Sequence, residues 1–216
     1  IHIEQEILQE TVGSQDQVCA AYGGLNQIHF HQNGDVTVQP ITLAPERLRR
    51  FNAHLMLFYT GIKRTASDVA ASYVSGLEAK AGQFKLMKEL LDESLKILSA
   101  GKSLAGFGEL LHRAWEAKRS LSGKVSNAQV DAYYESARAA GALGGKLLGA
   151  GGGGFLLLIV TPTRQAEVRR SLSRLIEVPF EFEFSGSQII FFDPEEDYTA
   201  HERARDRQEL EAFREL

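Results

Sequence analysis

Two stretches of this 216-residue chain carry side chains able to act on a small polar ligand. The first is Gly13-Ser14-Gln15-Asp16-Gln17. A carboxylate set between two carboxamides offers one proton acceptor flanked by groups that both donate and accept hydrogen bonds. A polyhydroxyl ligand requires that inventory. Gly13 before the acid, and Gly23-Gly24 after it, let backbone come close to a ligand. Asp16 also has a plainer role, as an acid in the first turn of a helix, worth about 0.3–1 kcal/mol through the helix dipole.

The second stretch runs from Gly141 to Gly154 and contains eight glycines. Each would cost about 1 kcal/mol against alanine inside a helix, so the stretch is not helical. A flexible linker is one alternative. Against it, Leu147, Leu148 and Phe155 are apolar, and a strand-like run, Phe155 to Val160, follows at once. A tight backbone that admits a phosphate or another chain segment fits better, with Lys146 near such a phosphate.

Three other patterns fail on context. Gly101-Lys102-Ser103 ends like a P-loop, but Lys96 stands where the pattern needs its first glycine, and a helix precedes it instead of a strand. Gly149, Gly151 and Gly154 satisfy G-x-G-x-x-G, but the segment before them reads as helical and the one after as a strand. A dinucleotide fingerprint needs the opposite order. His29 and His31 share a strand face without a third ligand, so no metal site is expected. Cys19 is the sole cysteine, which excludes an internal disulfide, and it reads as a small core residue.

These residues need elements to position them. Ile1, Ile3, Ile7 and Leu8 pattern as a short helix ended by Gly13. A second helix starts near Ser14 or Gln15 and stops at Gly23-Gly24. Asn26–His31 and Val36–Ile41 pattern as a hairpin around Asn33-Gly34, with a type I′ turn. His54–Tyr59 is a third strand. The period then changes to helical from near Thr65 through Leu98, with Gly76 and Gly82 weakening its first half. Leu104 to Trp115, with Phe107 on its apolar face, marks another helix. Ser126 with Gln129 resembles a capping box opening a helix through Ala137. After the glycine run come the strand Phe155–Val160, a helix around Val168, Leu172 and Leu175, an alternating strand Phe180–Phe184, and a last strand Gln188–Phe192. This order predicts an α+β fold with a mainly antiparallel sheet.

Composition is that of a globular chain, 44% hydrophobic and 24% charged. The net charge of −4 favours neither nucleic acid nor an anionic membrane as partner. The excess is local: residues 193–216 hold nine acids and four bases, while the rest is balanced to within one charge. No apolar run is long enough to span a bilayer, and no secretory pattern opens the chain. The chain starts at Ile1 and reads as a piece of a larger fold.

Taken together, three segments resemble the GHMP family of small-molecule kinases. They are Gly-Ser-Gln-Asp-Gln-Val-Cys-Ala-Ala-Tyr-Gly-Gly-Leu-Asn, then Leu-Phe-Tyr-Thr-Gly-Ile-Lys-Arg-Thr-Ala-Ser, then Gly-Ala-Leu-Gly-Gly-Lys-Leu-Leu-Gly-Ala-Gly-Gly-Gly-Gly-Phe. The branch they resemble is the D-glycero-D-manno-heptose 7-phosphate kinases, over Ile1 to about Phe192. The resemblance implies the end of an N-terminal S5-like domain in residues 1–50, a C-terminal antiparallel-sheet and helix domain in 51–192, and an acidic tail in 193–216.

It further implies ATP and a sugar phosphate as ligands, with Mg2+ held by residues expected ahead of Ile1, where the family's Gly-Ser-Ser phosphate loop would lie. The 216 residues alone are then expected to be inactive. Asp16 takes the place of the sugar kinases' catalytic aspartate. Gly13, Gln15, Gln17, Gly23, Gly24, Thr60 and Gly61 fall in the sugar-binding segments. Lys63 and Arg64 are our own assignment to the substrate's phosphate, their plainer role being surface cations at a helix entrance. Lys146 and Gly149, Gly151, Gly152, Gly153 and Gly154 fall beside the nucleotide phosphates. Ser14 departs from the lysine of many relatives. Another sugar (fucose, galactose or mannose) and a noncatalytic binding or regulatory role are the alternatives. A cytoplasmic location is expected, and a homodimer is compatible with the resemblance.

Overall fold

The computed structural model describes residues 1–9, 12–63, 69–72, 78–100, 103–191 and 197–205. The chain divides into two compact units. One comprises Ile1–Ile41 with Phe182–Leu216, the other Thr42–Glu181. The expected start of a helix near Thr65, Gly76, and Arg64 lie outside the described residues.

The first unit opens with a π-helical turn, Ile3–Ile7. Helix α1 (Gln15–Tyr22) follows and is ended by Gly23 at φ +64°. Strands β1 (Asn26–Phe30) and β2 (Val36–Pro40) pair antiparallel, Ile28 opposite Val38. The turn between them differs from expectation. Gly34 is at φ +90°, but Asn33 is not left-handed, so this is no type I′ turn. A five-residue connection takes its place, closed by His31 N–H donating to Asp35 O and pinned by the Asn33 side chain on Asp35. A short helix, α7 (Thr199–Arg205), belongs to this unit too.

The second unit is built on a four-stranded antiparallel sheet. Its strands are β3 (Leu55–Tyr59), β4 (Ala142–Leu147), β5 (Phe155–Val160) and the two-residue β6 (Ile176–Glu177), in the order β4-β5-β3-β6. Register makes Met56, Leu158 and Gly145 one row, and Leu57, Leu157 and Lys146 the next. Because side chains alternate across a strand, Met56, Phe58, Leu156, Leu158 and Leu147 share the face that forms the core. They pack with Trp115, Tyr134, Val130 and Val168. Those residues come from helices α4 (Ala105–Arg119), α5 (Ala128–Ala139) and α6 (Gln165–Ser171).

Helix α3 (Ala81–Ser99) packs along α4, and α2 (Pro45–Asn52) joins them. The Arg47 guanidinium donates to the carbonyls of Ile97 and Leu98, groups that the end of α3 leaves without intrahelical partners. Phe51 meets Phe107 edge to face at 5.0 Å. Helix α2 was not legible as an element, although Pro45 at its first turn is an ordinary helix start.

Further sequence expectations are corrected. Residues 142–147, read from the sequence as part of a tight glycine-rich backbone, are a strand. The glycine loop therefore joins two antiparallel strands, and the dinucleotide reading fails because a strand follows it. Asn127, not Ser126, caps α5: its side-chain oxygen accepts from the amides of Gln129 and Val130, while the Ser126 hydroxyl donates to Asp131. Phe180–Phe184 and Gln188–Phe191 form no strand. The first of these is held irregularly, by Glu183 O accepting from Gly24 N–H and by the Phe184 ring lying on Gly24. In the second, Ile189, Ile190 and Phe191 are 85%, 96% and 77% exposed, with no ladder among the described residues to bury them.

Candidate functional site

The tertiary structure of the second unit joins two of the segments singled out in the sequence. The Tyr59-Thr60-Gly61-Ile62 turn at the end of β3 lies against the end of the glycine loop. Thr60 donates twice to one acceptor, its amide at 2.9 Å and its hydroxyl at 2.8 Å from Gly154 O. Gly154 N–H returns a bond to Ile62 O at 3.3 Å. Antiparallel pairing of Tyr59 with Phe155 aligns these ends, and the two rings meet at 5.2 Å. Thr60 is buried and its hydroxyl proton is committed to the loop. Gly61 and Lys63 are exposed.

The opposite side of the loop is held by the connection between α4 and α5. Gly152 N–H donates to Val125 O at 2.8 Å, and the Asn127 amide donates to Gly152 O at 2.8 Å. The Lys118 ammonium donates to Gly149 O. A side chain on Gly151 would lie 2.6 Å from Val125 O, and one on Gly153 would run into Ile62 O. Those two glycines thus serve contact with the chain itself. Gly154 differs: it sits at φ +93° with open space where a Cβ would be. Among the described residues no backbone carbonyl accepts from the amides of Ala150, Gly151 or Gly153. A loop with gripped carbonyls and unpaired amides is a ready receptor for anionic oxygens.

Lys146 is the penultimate residue of β4, half-buried, its side chain with no ion-pair or hydrogen-bond partner among the described residues. Burial pulls its ammonium below the ordinary lysine range. Gly144 and Gly145 beside it have packing reasons. Gly144 is pressed against the Gly108 carbonyl of α4. A Cβ on Gly145 would run into Leu157 O and the Leu158 side chain, and the Gly145 amide points at the buried Tyr134 hydroxyl, which also lies 2.7 Å from His112 Nδ1.

In the first unit, Gln15 and Asp16 are exposed at the start of α1. Gln17 is half-buried. Its amide nitrogen donates to the Glu4 carboxylate, and its side-chain oxygen is buried without a partner. Gly13 has open space around it. Gly23 and Gly24 do not: the backbone of Glu183 and Gly186 and the ring of Phe184 fill the room their missing side chains leave. Cys19 is exposed rather than a core residue. Burial, then the charge of Asp16, raise its thiol pKa. Among the described residues, no group of three His, Cys, Asp or Glu could hold a metal ion.

The functional group that sequence reasoning missed is Asn127. The residues Ser126-Asn127-Ala128 signal a helix start, and Asn is as good a cap as Ser. Nothing local reports that its other amide atom reaches a loop 25 residues on.

Comparison with known proteins agrees with this architecture. Residues 79–177 match the family described as GHMP kinases C terminal. The chain is 30% identical over 175 residues to the D-glycero-alpha-D-manno-heptose 7-phosphate kinase of Campylobacter jejuni, covering 80% of this chain and 51% of that protein. The crystal structure of a D-glycero-D-manno-heptose 1-phosphate kinase from Bacteroides thetaiotaomicron superposes with a TM-score of 0.62 at 27% identity, over 84% of this chain and 49% of that one. A mevalonate kinase from L. major matches at TM-score 0.60 and 22% identity, a likeness of fold. The chain spans about half the length of these relatives. Residues 79–177 thus resemble the C-terminal domain of the GHMP kinases in sequence, and the fold is similar.

Proposed function

We propose that this chain is part of an ATP-dependent sugar kinase that phosphorylates the anomeric hydroxyl of a heptose 7-phosphate. The observation that carries the reading is the 30% identity to a heptose 7-phosphate kinase along most of the chain. The clamped glycine loop supports it, because phosphoryl transfer is mostly positioning and charge neutralisation. Residues 1–50 are assigned to the remainder of an N-terminal domain, 51–192 to the C-terminal domain, and 193–216 to an acidic tail.

In this scheme the unpaired amides of Gly151 and Gly153 face the nucleotide phosphates. Thr60 and Asn127 act on the loop rather than on the ligand. Asp16 accepts the proton of the sugar hydroxyl, or orients it, as that oxygen bonds to the γ-phosphorus and the bond to ADP breaks. Gln15, Gln17 and Gly13 line the sugar, and Lys63 with Arg64 meet its phosphate. Mg2+ would accompany the nucleotide; among the described residues no group of three His, Cys, Asp or Glu could hold it.

The test is a phosphoryl-transfer assay with heptose 7-phosphate, fucose, galactose and mannose. The 216 residues are assayed alone, and joined to the half of the heptose kinase relative that has no counterpart here. Transfer to heptose 7-phosphate only in the joined form is expected. Preference for another sugar would replace the substrate. Nucleotide binding with no transfer to any sugar would favour a binding or regulatory role.

A further inference from the structure

Beyond Lys118 on Gly149 O, the glycine loop is gripped at two alternate residues, and the two grips differ in kind. At Gly154 both backbone groups are held by the Thr60–Ile62 turn, an extension of the β3–β5 ladder. At Gly152 both are held by residues 125–127: the N–H by Val125 O and the carbonyl by the Asn127 amide, each at 2.8 Å. The same Asn127 side chain turns its oxygen to the amides of Gln129 and Val130, at 3.1 and 3.0 Å. One carboxamide thus uses its acceptor to start α5 and its donor to hold the loop.

We propose that Asn127 is the positioning residue of the glycine loop, coupling the conformation of Gly149–Gly154 to the first turn of α5. Gly152, at φ +77°, sits in a run where glycines leave the backbone little conformational preference of its own. External bonds must select one conformer. Val125 fixes one end of the Gly152 residue and Asn127 the other, which sets how the amides of Gly151 and Gly153 are presented. Serine and aspartate reproduce the cap as well as asparagine does. Neither can donate an N–H to Gly152 O, and aspartate sets a charged acceptor against that carbonyl.

The proposal rests on the reading of this loop as the phosphate-facing element, and its test separates the two. Hydrogen exchange of the Gly149–Gly154 and α5 amides is measured in the 216-residue chain for wild type, Asn127→Ser, Asn127→Asp and Asn127→Ala. Thermal unfolding is followed beside it. Asn127→Ser should speed exchange of the bonded Gly152 and Gly154 amides about tenfold, the equivalent of one lost hydrogen bond. Asn127→Asp should do so further. Both should leave α5 exchange and the Tm near wild type, while Asn127→Ala loses cap and loop together. Loop exchange unchanged in the serine and aspartate variants would overturn the proposal. In the joined, ATP-binding form, Asn127→Ser should raise KM for ATP more than it lowers kcat. Faster loop exchange with KM for ATP unchanged would uphold the positioning role and remove the nucleotide from the loop.

Discussion

Thr60 places its amide and its hydroxyl on the same carbonyl oxygen, that of Gly154, ninety-four residues away along the chain. A threonine in a turn after a strand has many local uses. Here its buried side chain ties the end of β3 to the loop that leads into β5. Thr60→Val keeps shape and amide bond but removes the hydroxyl proton. It should lower unfolding free energy by about 1 kcal/mol. A denaturant midpoint unchanged from wild type would remove the hydroxyl from the account.

Two glycine substitutions should separate packing from conformation. At Gly144 a methyl group would collide with the Gly108 carbonyl of α4, and neither backbone can yield easily. Gly144→Ala should cost about 3 kcal/mol or leave little folded chain. At Gly154 there is room, and only the positive φ resists. Gly154→Ala should cost about 1–2 kcal/mol, with the core near-ultraviolet signal retained. Equal losses at the two sites would contradict this division.

Lys146 should make stability depend on pH in the alkaline range. Its pKa is lower in the folded chain than in the unfolded one. Between those two values the unfolded state binds more protons, so stability rises with pH across the window. Below the folded value both states carry the charge, and the burial cost is constant. Lys146→Met should raise Tm at neutral pH and flatten the alkaline rise. If Lys146 meets a phosphate, the same variant also loses nucleotide affinity, and unchanged affinity would leave the lysine without that role.

Asp16→Asn tests the proposed chemistry. In the joined form, turnover should fall by about 10²–10⁴-fold, the usual worth of a positioned proton acceptor, with KM for ATP little changed. Turnover near wild type would remove Asp16 from catalysis.

Much of the fold was legible because its signals are local. The boundaries of α1 follow from Ser14 and Gly23, and the length of β5 follows from an apolar run between glycine and proline. The irregular path of residues 180–191 was not legible. Alternating phenylalanines report strand propensity, but Gly24 and Ala21 offer contacts to Phe184 and Ser187 that no ladder supplies. The strand in 142–147 was hidden for the converse reason. Glycine is a poor strand former, and only the close approach of α4 to Gly144 and of Leu157 and Leu158 to Gly145 explains two in succession there.

By itself the sequence determined the α+β order of elements, the two chemistry-bearing stretches and the kinase resemblance, since each depends on residue type and short spacing. The tertiary structure decided what each glycine is for. Gly144, Gly151 and Gly153 admit the chain's own backbone, while Gly154 stays open, a distinction set by neighbours distant in sequence. It also gave Asn127 its second bond. A side chain with a donor and an acceptor can serve two elements at once, and only packing determines which two.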